Sequence, residues 1–160
     1  MKFMTRPRSR RAAFALFVAL ALAGCSDQPE REEATGELQE SADVDVFDVQ
    51  VGDCLGGATA EGEISSVEAT PCSEPHAEEI FAAVTVADGE YPGQEALDAE
   101  AAKCVDEFTE FVGMTYDESA LEINYMTPTE ESWAVDDREI LCTVYDPEGD
   151  TTGTLNGANR

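Results

Sequence analysis

One histidine and one tryptophan occur in the 160 residues, and past Arg11 the only cations are Arg31, Lys103, Arg138 and Arg160. Nucleic acids and anionic headgroups are held by arrays of lysine and arginine. A chain that sets four such cations against 35 acids is repelled by both, which excludes a nucleic-acid binder or a protein lying flat on an acidic bilayer. Basic proteins and cations remain as partners, and the plain alternative is a solvated surface. With His76 the sole histidine, any Ser-His, Cys-His or zinc chemistry must pass through it. Cys72 lies four positions away, but nothing at suitable spacing supplies an oxyanion nest or a third triad member. A Cys72/His76 zinc site would need further thiolates or carboxylates. Among 35 acids no pair stands out for glycoside hydrolysis. Asp43, Asp45 and Asp48, or Asp146, Glu148 and Asp150, could approach calcium, yet neither set follows the EF-hand order.

Long hydrophobic runs are also missing. The stretch AAFALFVALALA at 12–23 is too short to span about 30 Å of hydrocarbon and suits the apolar region of an export signal. Lys2, Arg6, Arg8, Arg10 and Arg11 precede it without an acid. Leu22, Ala23, Gly24 and Cys25 close it and resemble the bacterial lipobox. That resemblance implies removal of residues 1–24 as a lipoprotein signal peptide, acylation of Cys25, and attachment to the lipid bilayer at the outer face of the plasma membrane. Two acyl chains, at about 0.8 kcal/mol per buried CH₂, anchor firmly where one would not.

Four further cysteines, Cys54, Cys72, Cys104 and Cys142, form an even set in an exported chain and read as two disulfides. Three connectivities exist. Cys54–Cys72 with Cys104–Cys142 is preferred because each pair can join neighbouring elements of the structure expected below.

Residues 26–43 are acidic and poor in large apolar side chains, which predicts a disordered tether between the lipidated Cys25 and a folded domain at 44–146. Residues 147–160 read as a loose tail by the same reasoning. Within the domain, alternation predicts strands in 46–54, 64–72 and 78–86, forming a small meander. Leu97, Ala101, Cys104, Val105 and Phe108 recur at steps of three and four, predicting an amphipathic helix over 94–112 that ends at Gly113. Leu121, Ile123 and Tyr125 alternate in a strand at 121–126. Thr127, Pro128, Thr129 and Glu130 match a capping box that opens a short helix over 130–135, and a last strand covers 139–145. The fold class is α+β, a small antiparallel sheet with one main amphipathic helix packed on it and two disulfides.

The order VGDC at 51–54, PCSEPHAEEI at 71–80, YPG at 91–93, the helical Cys104 and PTEESWAVDDREILC at 128–142 resembles the septum formation domain of secreted and membrane-associated proteins in Gram-positive bacteria with GC-rich genomes. The resemblance spans 44–145. It rests on the combined spacing of C, C-x-x-P-H, C and W-x-x-x-D-R-x-x-x-C. Relatives often carry Gly where this chain has Asp136. The resemblance implies an extracytoplasmic module linked to septation, with no catalytic residue to carry over and no cofactor or metal. The expected partner is an envelope or division protein, met through the sheet or the turn at 71–76. Pro75, His76, Trp133 and Arg138 are the candidate contact residues. A small cell-wall hydrolase or other envelope enzyme is the alternative.

Overall fold

The computed structural model describes residues 29–160 apart from Ala60, Glu61 and Glu63. The expected signal peptide and Cys25 lie outside the described residues. Among the described residues six antiparallel strands form one curled sheet in the order β1-β3-β2-β4-β6-β5. They are β1 (Ala42–Asp45), β2 (Cys54–Leu55), β3 (Ser66–Thr70), β4 (Glu78–Thr85), β5 (Glu122–Met126) and β6 (Glu139–Tyr145). The alternation in 139–145 does what period two demands. Ile140, Cys142 and Val144 are buried on the helix-bearing face, and Leu141 packs against a second apolar cluster on the other.

The main helix runs over 94–112 as α1 (Gln94–Ala101) and α2 (Cys104–Val112). Between them Lys103 donates to the Glu100 carbonyl at 3.0 Å and Val105 to that of Ala102 at 3.2 Å, so the ladder tightens to i−3 bonds for one turn. Leu97, Ala101, Cys104, Phe108 and Val112 form its buried stripe, with Phe108 edge-on to Phe81 of β4 at 6.1 Å. Gly113 stops the helix at φ +81°. A Cβ there would stand 2.9 Å from the Asn159 side chain, so both the left-handed turn and the close chain approach call for glycine. Both expected disulfides are formed. Cys104–Cys142 staples α2 to β6, and Cys54–Cys72 joins β2 to the turn after β3. Among the described residues no helix is long and apolar enough to cross a membrane.

The folded part is longer at both ends than composition implies. Residues 26–43 are not a tether throughout: Arg31 bridges Leu38, Leu38 is buried, and β1 pairs with β3 from Ala42↔Ala69 to Asp45↔Ser66. The one cation of this segment explains its order. Arg31 grips the buried Asp53 carboxylate with two nitrogens, at 2.5 and 2.8 Å. The extended segment expected over 46–54 is instead a turn followed by the two-residue β2, which inserts between β3 and β4 and breaks the meander.

The last residues also depart from a loose tail. Thr151 bridges His76, Gly153 donates to the Cys72 carbonyl, and Leu155 is buried in the helix-side core. Gly157 and Asn159 then donate to the carbonyls of Phe111 and Val112, and Arg160 pairs with Asp146 at 2.5 Å. The reason is Glu79, a buried carboxylate on β4 that accepts from the Thr154 hydroxyl and the Leu155 amide, each at 2.6 Å. An isolated buried charge is costly, so the chain end is recruited to solvate it.

Arg160, with help from the Glu148 amide, lowers the Asp146 pKa below its ordinary value. A depressed carboxyl contributes stability above the unfolded pKa of about 3.9 and loses it as pH falls through the folded value. Asp146→Asn should therefore melt slightly below wild type at pH 6, by at most about 1 kcal/mol for so exposed a pair. The gap should shrink as pH falls from the unfolded carboxyl pKa through the lowered folded value, read in paired thermal melts.

Candidate functional site

The face of the sheet opposite the helices carries a groove of about 890 Å³. Alternation along β5 and β6 sends Asn124, Met126, Glu139 and Leu141 to this face, while Val46, Phe47 and Val49 before β2 and Ile64 and Ser65 before β3 form the facing wall. One end is closed by Gln94 at the start of α1 and by the corner Thr127, Thr129 and Ser132. That corner begins the short helix α3 (Glu130–Trp133). Its N-cap is Thr129, two positions later than the expected cap: Thr129 Oγ1 accepts from the Ser132 amide and Ser132 Oγ accepts from the Thr129 amide. Serine at N3 takes the part usually played by Glu or Gln.

A second buried carboxylate stiffens the groove from behind. Glu78 accepts from the Thr59 amide and hydroxyl, each at 2.9 Å, and from the Thr143 hydroxyl at 2.6 Å. Thr59 itself lines the groove, so that wall is tied to β4 and β6.

The electrostatic sign of the groove is negative. Asp137 and Glu139 line it, and Asp98 on α1 stands beside Tyr125. The Tyr125 hydroxyl is pushed up from its ordinary pKa first by burial and then by the Asp98 charge. Among the described residues no lysine or arginine lines the groove. Phe47, on the wall before β2, is 61% exposed, whereas Tyr125, 39% exposed, follows its partner Cys142 toward the helix-bearing side of β5 and meets the groove only at its edge.

The residues expected to meet a partner are placed differently. His76 is fully buried, which corrects its assignment as a contact residue. Its Nδ1 donates to the Glu74 carbonyl at 2.9 Å and its Nε2 pairs with the Thr151 hydroxyl at 3.1 Å. Pro75 stays exposed at the tip of the turn. Trp133 is also buried, packed edge-on to Tyr91 with its indole N–H on the Gly89 carbonyl at 2.9 Å. Arg138 lies 3.9 Å over the Trp133 ring and donates to the carbonyls of Trp133 and Asp137. The pair is a latch that fixes the corner between α3 and β6 beside the groove. Asp136, at φ +71°, sits in that corner in a left-handed conformation that suits glycine.

The Cys54 sulfur, His76 and Glu79 offer atoms within 4.8 Å of one another, a set with metal-ligand chemistry that spacing in the sequence did not reveal. Each member already has a protein partner: Cys54 is bonded to Cys72, His76 is engaged at both nitrogens, and Glu79 binds the chain end. The cluster joins the turn at 71–76, β4 and the C-terminal segment. Of the carboxylates considered for calcium, Asp146 is taken by Arg160 and the Glu148 amide, and Asp45 caps the Phe47 amide.

Sequence reasoning missed Phe47, Asn124, Tyr125, Asp137 and Glu139 as neighbours in one groove. They lie on separate segments, 46–54 and 121–126 among them, that read as individual strands, and nothing in their spacing joins them. In comparisons with known proteins, a family model described as septum formation matches residues 51–159, which takes in the docked chain end. No curated protein and no solved structure matches.

Proposed function

Because the chain belongs to the septum formation family, we propose that it acts in septum formation as a lipid-anchored binding module. It stands on the outer face of the plasma membrane and uses the groove to hold an envelope or division protein. The observation that carries the reading is the groove itself: concave, acidic, flanked by exposed aromatics, and stiffened by Glu78 and the Trp133/Arg138 latch. An open concave surface of this size on a small domain suits recognition, since pockets with a few placed polar groups are where ligands bind.

Two disulfides support an oxidising compartment, and Leu22, Ala23, Gly24 and Cys25 support the lipid anchor. The burial of His76, hydrogen-bonded at both ring nitrogens, supports a structural role for the only histidine and so a non-catalytic module. Five residues, 26–30, separate Cys25 from Arg31. A chain of that length reaches at most about 18 Å, which supports a domain that works close to the bilayer.

Metabolic labelling with an alkyne fatty acid tests the anchor. Wild type should take up the label and partition into detergent, and Cys25→Ala should do neither. A Cys25→Ala chain that remained labelled and membrane-bound would overturn this part of the reading.

A further inference from the structure

We propose that the groove holds an extended partner segment in which cationic side chains alternate with apolar ones. This rests on the reading of the groove as a binding site and adds the chemistry of its occupant. Three features of the groove carry it.

Its floor is apolar where Val49, Met126 and Leu141 reach the surface of the second core. Its rim is anionic, with Asp137 and Glu139 and, among the described residues, no lining cation to neutralise them. Its third feature is topology: β5 is the last strand of the sheet, so a segment laid beside it can add to an open edge. In an extended segment successive side chains point to opposite sides at about 3.3 Å per residue. One set then faces the apolar floor and the other the carboxylate rim, with Phe47 placed to cover a guanidinium or ammonium group. The strongly acidic chain as a whole steers a cationic segment toward this surface.

The test uses the exported, lipidated chain in neutral detergent micelles. The probe is a fluorescent eight-residue peptide of alternating Lys and Leu, compared with its Glu/Leu counterpart and with a neutral chitooligosaccharide. The Lys/Leu peptide should bind and the other two should not, with affinity falling as salt rises. Glu139→Lys should weaken binding at least tenfold, Glu139→Gln about threefold and Phe47→Ala at least threefold. Glu110→Lys, the same charge change on the exposed side of α2, should weaken it less than twofold. Unchanged melting temperatures establish that the variants are folded.

Equal weakening by Glu139→Lys and Glu110→Lys would mean diffuse attraction to an acidic surface and would overturn the proposal. Binding of the glycan in place of the peptide would overturn it as well, while leaving a groove that binds. Binding of neither probe overturns it too. Whether the broader reading then also fails is decided separately, by a photo-crosslinker at Phe47 in cells. Capture of a partner without a cationic segment keeps the module reading, and no capture removes both.

Discussion

A chain that ends at Asp150 should lose about 5 kcal/mol of stability. Removing residues 151–160 takes Leu155 out of the helix-side core, a loss on the scale of a buried leucine truncation, about 2–5 kcal/mol. It also strips Glu79 of the Thr154 hydroxyl and the Leu155 amide, its two donors from the chain end. Leaving a buried charge without its partners costs about 3–5 kcal/mol. The two terms share one site and do not simply add, which keeps the total near the lower sum. His76 loses its bridge to Thr151 in the same cut, and the turn at 71–76 loses Gly153 from the Cys72 carbonyl. Chemical denaturation of the full and shortened chains measures the difference. Glu79→Leu in the shortened chain should recover about 2 kcal/mol, because an apolar side chain in place of an orphaned charge removes the desolvation penalty. Identical midpoints for the full and shortened chains would return the segment to the loose tail that its composition suggests.

Replacing Cys104 and Cys142 together by alanine should cost about 4 kcal/mol, the constraint that a bridge across 38 residues places on the unfolded chain. Both cysteines are fully buried, and the bridge joins α2 to β6, the elements that carry Phe108 and Ile140 into one core. The Cys54–Cys72 bridge closes a shorter loop, of 18 residues, and its removal should cost about 3 kcal/mol. Urea melts of the two double variants, read at equal protein concentration, give the order. A loss below about 1 kcal/mol for the Cys104/Cys142 variant would contradict the stapled core. Against a total of about 5–15 kcal/mol for a domain of this size, either loss decides whether the exported chain stays folded.

The helix over 94–112, the strands at 122–126 and 139–145 and both disulfides were legible because each carries a repeating or pairwise signal. Cys104 and Cys142 lie on the inward faces of a period-3.6 and a period-2 pattern, so the bridge follows from the patterns themselves. The N-terminal hairpin and the C-terminal segment carry no such period. Their order comes from single long-range partnerships, Arg31 with Asp53 and Glu79 with Thr154 and Leu155, between residues far apart in sequence. Composition sees an acidic or glycine-rich stretch and cannot see the partner.

The groove was invisible for a related reason. It assembles 46–49, 64–65, 124–126 and 137–141, and its concavity exists only once the sheet curls. His76 and Trp133 drew attention because each is the only one of its kind, yet rarity in composition says nothing about exposure, and both proved to be buried framework.

The central claim is that this acidic groove holds a partner at the cell surface. A photo-crosslinking amino acid at Phe47, on the groove wall, should yield in dividing cells a discrete adduct with an envelope or division protein, enriched at septa and lost in Glu139→Lys. The same amino acid at Glu110 should yield none. Adducts of equal pattern from both positions, or none from Phe47 in a lipidated and folded chain, would contradict the account.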